Sequence, residues 1–432
     1  MKRTIIFTTT YAIFMGVFTT FVSAQNDTTK QMHRITVGGY GEAVYSHHFY
    51  SDNMFRYSHA DRYADAPSYG RVDLPHAVIM LGYDFGHGWS IGTEIEFEHG
   101  GTEAATERET EETGEFEQEI ERGGEVALEQ FWVQKSFSRY LNIRAGHIVV
   151  PVGMTNNNHT PNMFFSVYRP EGENTIMPCT WHETGISVWG QTTNWRYEVQ
   201  MLPSLNSNFF TESGWIHNGS ASPYEFRPAN GISGAARVDW TGVKGLRLGV
   251  SGFVGNSFNN DITTVIFSES SKYRDVKGTV VIGAFDFAYR NRWLLMRGNA
   301  DYGFLSDAAL ISSYNKNQTT MTGNPYSHTV VGKNAWDVSL EAGVDVLSLR
   351  EQRQAGRKLY IFARYDHYDS YVPAGNQVDV EWCEREVVSG GINYYPLPEI
   401  AIKAEGGIRL LAEQYNNEPY IAIGITWCGF FK

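Results

Sequence analysis

The chain has 432 residues, with 48 acidic against 35 basic side chains and a formal net charge of −13. That balance disfavours nucleic-acid binding, which needs concentrated Lys and Arg to neutralise phosphates. Three cysteines, Cys179, Cys383 and Cys428, are odd in number and widely spaced, which excludes a disulfide framework.

The N-terminus reads MKRTIIFTTTYAIFMGVFTTFVSAQ. Lys2 and Arg3 precede an apolar run, and Val22 and Ala24 are the small residues of a cleavage site, so residues 1–24 are expected to be a secretory signal peptide. A retained membrane anchor is the alternative, but no basic stop-transfer cluster follows. No cysteine lies near the cleavage point to take a lipid anchor. Residues 25–34 then form a short periplasmic lead-in, and 35–432 the folded body. No other stretch approaches 18 uncharged apolar residues, so membrane-spanning helices are not expected.

Alternation with a period of two, the strand signature, recurs along that body. WSIGTEIEFEH (89–99) sets Trp89, Ile91, Ile95 and Phe97 against Glu94, Glu96 and Glu98. AWDVSLEAGVDV (335–346) sets Trp336, Val338, Leu340 and Val344 against Asp337, Glu341 and Asp345. EIAIKAEGGIRL (399–410) opposes Ile400, Ile402 and Ile408 to Lys403, Glu405 and Arg409. The pattern predicts sixteen strands: 35–50, 71–84, 89–99, 124–137, 141–150, 183–190, 194–202, 231–240, 245–256, 276–290, 292–305, 334–346, 357–370, 379–394, 399–411 and 419–431. Strands 124–137 and 379–394 alternate poorly, which predicts a bulge or a shifted boundary in each. Strand 292–305 is also imperfect, with Leu295 among Arg297, Asn299 and Asp301.

Connection lengths sharpen the reading. Tight turns at 85–88, 137–140, 191–194, 241–245 and 395–399 interleave with long segments at 51–70, 100–123, 151–182, 203–230, 257–275 and 306–333. A soluble sandwich, the competing fold, has no reason to sort its loops in this way. An outer-membrane barrel has one, because its short turns face the periplasm and its long loops face outward. In lipid, open sheet edges leave backbone groups unsatisfied, so the strands must close. The expected fold is an all-β transmembrane antiparallel barrel of about sixteen strands, apolar towards lipid. Its inward carboxylates Asp337, Glu341 and Asp345 are expected to be hydrated by an aqueous lumen.

Two stretches are distinctive: LNIRAGHIVVPVGMTNNNHTPNMFF (141–165) and YRPEGENTIMPCTWHETGISVWG (168–190). With VDLPHAVIMLGYDF (72–85) and GEVALEQFWVQKSF (124–137), they make the chain resemble the phosphate-selective porin O and P family. The pair Arg169-Pro170 and the return through Trp181, Glu183 and Gly185 carry the likeness. The resemblance implies a general or anion-selective diffusion channel of a Gram-negative outer membrane, often a homotrimer. It points to small hydrophilic solutes, phosphate among them.

The residues themselves point to a loop folded into the pore at 151–182. Pro151, Gly153, Pro161, Pro170, Gly172 and Pro178 stop regular strands, while Met163, Phe164, Phe165 and Tyr168 need a surface to pack on. Arg169 would meet solute there, with Glu171 and Glu173 opposing its field and His159 nearby. Arg144, Arg196 and Arg237 fall on polar faces and add positive charge to the lumen. The family's phosphate preference sits uneasily with one arginine against two glutamates in this loop.

Segment 102–125 holds ten glutamates and two arginines. A hydrated surface loop is its plainest reading. Glu109, Glu111 and Glu112 are weak candidates for a loosely bound divalent cation, without EF-hand spacing. No cofactor is otherwise expected, and no HExxH, P-loop, GxGxxG or nucleophile elbow suggests an enzyme. The rival to a channel is a contact barrel with a plugged lumen, whose long loops bind an envelope protein or a surface ligand.

Overall fold

A computed structural model describes residues 34–101, 124–261, 272–317, 329–349, 356–375 and 377–431. The expected signal peptide at 1–24 and Glu109, Glu111 and Glu112 lie outside the described residues.

The described strands are β1 (Ile35–His48), β2 (Tyr69–Asp73), β3 (His76–Gly86), β4 (Trp89–Glu98), β5 (Glu125–Ser138), β6 (Leu141–Val149), β7 (His182–Gln191) and β8 (Trp195–Pro203). They continue as β9 (Ile232–Val243), β10 (Leu246–Asn256), β11 (Thr279–Arg290), β12 (Leu294–Leu305), β13 (Asn334–Asp345), β14 (Lys358–Val372), β15 (Glu384–Leu397), β16 (Ile400–Leu410) and β17 (Glu418–Phe431). Apart from β2 and β3, which follow one another along β1, each pairs antiparallel with its chain neighbours. Closure comes from β1 pairing with β17, from Val37 opposite Phe431 to His48 opposite Tyr420. On its other side β1 pairs with β2 near His48 and with β3 near Ile35. The two segments are therefore one stave, interrupted at Leu74-Pro75, where proline offers no N–H to the ladder. The barrel has sixteen staves.

The imperfect strands have physical explanations. In β5 the register against β4 slips between Gln130, opposite Glu94, and Leu128, opposite Ile95. Glu129 is the extra residue of a bulge, and it turns inward beside Gln130. The stave expected at 379–394 starts at Glu384, because Glu381–Cys383 form a 3-10 turn. Leu295 faces inward with Arg297 and Asn299 because it packs in an apolar cluster with Phe165, Tyr360 and Phe362 inside the barrel.

The sheet is inside out relative to a soluble one. On β13, Val338 and Leu340 are about half exposed, while Asp337, Glu341 and Asp345 are buried. Ile79, Phe131, Val199, Val250, Phe285, Ile361 and Ile423 extend the exposed apolar band around the barrel. Phe85, Trp89, Phe137, Tyr140, Trp195 and Trp293 are exposed beside the short turns, the aromatic girdle of one membrane interface.

One expectation fails. Asp337, Glu341 and Asp345 are not hydrated; none is more than 1% exposed. Glu341 accepts from the Phe165 amide (3.0 Å) and pairs with Arg297. Asp337 accepts from Asn299, and Asp345 from the amides of Leu347 and Leu359. Segment 150–181 is folded into the lumen and covers the wall at this level.

Candidate functional site

The inserted segment joins β6 to β7 and is stitched at its neck. The Val150 amide donates to the Trp181 carbonyl (2.8 Å), extending the ladder by one step. Asn156 then bridges the two limbs. Its Nδ2 donates to the carbonyls of Val150 (2.6 Å) and Trp181 (3.2 Å), and its Oδ1 accepts from the Trp181 amide. Gly153 sits at φ +78°, a left-handed conformation that glycine adopts without strain.

From the neck the loop reaches several walls. At β9 and β10, Arg237 donates to the Gly153 carbonyl (2.9 Å) and Ser251 Oγ accepts from the Gly153 amide (3.1 Å). Across the barrel, Lys403 of β16 is fully buried and donates to the carbonyls of Pro161, Phe164 and Ser166, at 2.6, 2.9 and 2.8 Å. Asn393 of β15 donates to the Phe165 carbonyl (2.8 Å). Phe165 lies against Gly343 of β13, where a Cβ would strike its ring. The glycine reserves that space.

The expected site residues fall into separate environments. Arg169 points at a wall, buried, with Nη1 donating to the Cys179 carbonyl (3.3 Å) and Nη2 3.9 Å from Glu96 Oε1. Glu171 belongs to the opposite side, where it pairs with Arg409 (2.6 Å) and accepts from the Tyr368 hydroxyl (3.0 Å). Burial alone would raise the Glu171 pKa, but the Arg409 guanidinium outweighs it and holds the carboxyl below the usual range. Glu173 caps the start of the loop by accepting from the amides of Met154, Thr155 and Asn156. Burial pushes its pKa up to about 7 against the pull of those amides. Arg169, Glu171 and Glu173 thus do not oppose one another at one depth; each has its own partners.

On the wall, Arg196 pairs with Glu198 (2.6 Å), and Arg237 with Asp239 and Asp286 (2.8 Å each). Arg144 donates to Gln134 Oε1 and lies over the Trp132 ring, 4.4 Å from its centroid. His159 is buried, and its Nδ1 lies 2.9 Å from the Asn156 carbonyl. Burial disfavours its imidazolium, but Glu94 and Glu129 prevail and hold its pKa above the ordinary value.

A second group went unrecognised in the sequence: Glu42, Glu94, Glu96 and Glu129, inward-facing and buried on β1, β4 and β5. Alternation marks Glu94 and Glu96 as inward but says nothing of their convergence with His159. Glu129 was hidden by the bulge.

No family model matches the chain. An uncharacterized protein of Aquifex aeolicus (strain VF5) is 25% identical over 401 residues, covering 91% of this chain and 79% of that one. Among solved structures, the fold is similar to the outer membrane channel DcaP of Acinetobacter baumannii, with TM-score 0.51, 10% identity and coverage of 91% of this chain and 97% of that chain. It is also similar to Pseudomonas putida OprB, with TM-score 0.51, 11% identity and coverage of 91% and 94%. The anion-selective porin from Comamonas acidovorans gives TM-score 0.50 at 9% identity, covering 91% and 99%. At such identities the likeness is one of fold, and nothing in it singles out the phosphate-selective porin O and P family. The chain is an outer-membrane β-barrel with the architecture of the porins.

Proposed function

We propose that this barrel is a channel for passive diffusion of small hydrophilic solutes, without catalysis, and that the loop at 150–181 is its constriction. The observation that carries the reading is a closed barrel, apolar outside, whose charged inner wall is bridged by a loop held largely through polar bonds. A small cavity between loop and wall is lined by Met154, Met163 and Phe164 together with Arg297, Glu341 and Arg364. A passing solute would meet both signs of charge there, which favours small polar species over strong ion selection. The phosphate preference implied by the family resemblance draws little support from this cavity, because Arg297 and Arg364 both face Glu341.

Planar-bilayer recording of the purified protein should give discrete conductance steps and a small reversal potential in a salt gradient. Glu341→Gln, which leaves both arginines less compensated, should shift the reversal potential towards anions. Neutralising the glutamates in 103–121 should shift it little, since charges at the mouth are screened over about 8 Å in physiological salt. Absence of steps across several lipid mixtures would refute an open channel.

A second reading has one observation in its favour. Glu94, Asp286, Asp337, Asn393 and Lys403, from around the wall, are all fully buried. A barrel filled to that degree suits a contact protein that engages a partner through its long loops. Deleting 155–176 separates the two. A plugged barrel conducts only after the deletion, whereas a channel conducts before it and more afterwards.

A further inference from the structure

We propose that Glu94, Glu129 and His159 form a divalent-metal site, best suited to Zn2+, that fastens the inserted loop to the β4–β5 wall. Glu94 Oε1 or Oε2, one Glu129 carboxylate oxygen and one His159 ring nitrogen lie within 4.8 Å of one another. Glu94 is 0%, Glu129 1% and His159 9% exposed. Each presents one buried atom with no hydrogen-bond partner among the described residues: Glu94 Oε1, Glu129 Oε1 and His159 Nε2.

The other end of each side chain is held. Gln130 Nε2 donates to Glu94 Oε2, and the Tyr40 hydroxyl donates to Glu129 Oε2 (3.1 Å). His159 Nδ1 faces the Asn156 carbonyl, which can only accept, so Nδ1 carries a proton. In the neutral imidazole Nε2 is then a bare lone pair, the ligand form of histidine, with its tautomer fixed by a backbone carbonyl as in known metal sites. His159 Nε2 lies 3.8 Å from Glu94 Oε1, too far for a direct hydrogen bond and near enough for one ion to bridge the two.

Charge points the same way. Glu94, Glu96 and Glu129 are buried together, and the guanidinium facing them is that of Arg169. Glu42 is engaged with His76 at 2.7 Å, and the other ring nitrogen of that histidine lies 3.8 Å from Glu96 Oε1. The three carboxylates outnumber the one guanidinium, and a divalent cation would offset their excess. Burying such charges uncompensated is strongly unfavourable. The β5 bulge turns Glu129 inward alongside Gln130, where a regular strand would send one of the pair to lipid.

One imidazole nitrogen and two carboxylate oxygens suit Zn2+, with bonds of about 2.0–2.2 Å and a fourth position left over. Tetrahedral bonds of that length bring ligand atoms to roughly 3.5 Å apart, so these side chains need draw in by about an ångström or less. The ligands come from β4, β5 and the loop, so the ion would enter as the loop docks and hold it there.

The test uses the full mature protein, folded in detergent and stripped with EDTA, and titrated with Co2+ followed by Zn2+. One Co2+ per chain should bind with visible d–d bands and be displaced by Zn2+. Glu129→Gln and His159→Gln should each weaken binding by more than the roughly 10–100-fold that loss of a supporting partner costs. A chain with the glutamates of 103–121 neutralised should bind like the parent. Binding that is absent, unchanged in both variants, or lost only with the 103–121 glutamates overturns the proposal. Heat-modifiable gel migration checks that each variant is folded. Independently of any variant, Zn2+ should slow hydrogen exchange at 154–166 in the parent chain, and unaltered exchange there counts against the site.

Discussion

The two walls that the loop touches differ in how their buried charges are matched. Along β12–β16 the cations belong to the barrel. Arg297 and Arg364 share Glu341, Arg364 also holds Asp366, Arg409 joins Glu171 to Glu418, and Lys403 is taken up by three loop carbonyls. Along β1 and β3–β5 the buried charged residues are carboxylates, and the guanidinium that meets them, Arg169, comes from the loop. Oxygen atoms of Glu42, Glu94, Glu96 and Glu129 have no hydrogen-bond partner among the described residues there, and neither do single oxygens of Asp301, Asp337 and Glu405 on the first wall. The first wall receives the loop as a structural anchor. The second has no buried arginine or lysine on its own strands among the described residues, so its cation arrives with the loop.

The contrast is tested most severely at Arg169. Read from sequence, Arg169→Glu would alter selectivity and little else. In the structure the substitution adds a further carboxylate to a buried cluster of glutamates. Removing one partner of a buried pair costs about 3–5 kcal/mol, and a reversal costs more. The variant should lose the docked loop or fail to fold, seen as rapid proteolysis within 154–176 or loss of heat-modifiable migration. An Arg169→Glu barrel as stable as the parent would mean that the cluster is already neutralised by protons.

Lys403→Met probes the opposite wall. It removes three charge-assisted bonds, each contributing about 1.5–3 kcal/mol, though water entering the gap would recover part of the loss. Conductance should rise and the loop become cleavable while the barrel stays closed, because the β15–β16 and β16–β17 ladders are untouched. Glu171→Gln should do less, about 1–2 kcal/mol, since Arg409 keeps Glu418 and the glutamate is partly exposed. Protease sensitivity of the loop, ranked across the two variants, measures the difference.

The barrel was legible because its code is local. Alternation along each strand and the sorting of connection lengths need no knowledge of distant contacts, and they located each stave to within a few residues. The loop's insertion was legible in outline, because Phe164, Phe165 and Tyr168 beside prolines demand a packing surface. Its partners were not. Lys403 was recognisable as inward-facing, but nothing in its neighbours says that it grips Pro161, Phe164 and Ser166, more than two hundred residues away. Hydration of Asp337, Glu341 and Asp345 was misjudged for the same reason. An inward face is wet only if nothing fills the barrel, and the filling segment is remote in sequence. Glu129 was missed because a bulge breaks the parity on which the reading depends.

The smallest effect expected is in pH dependence, where two loop carboxyls act with opposite sign. Glu173 has its pKa raised to about 7 by burial, against about 4.3 for an unfolded glutamate. The folded state therefore favours its protonated form. Its contribution is full below about pH 4.3 and is lost as the pH rises to about 7, with no further change above that. Glu171, held low mainly by Arg409 against the effect of burial, contributes above the unfolded value and loses that contribution as the pH falls through its own lower pKa. Loop docking, followed by hydrogen exchange at 154–176, should thus weaken between about pH 4.3 and 7. Glu173→Gln should flatten that slope, leaving the acid-side loss to Glu171. A slope unchanged in Glu173→Gln would assign the titration to another carboxyl, and with it the pH sensitivity of the loop.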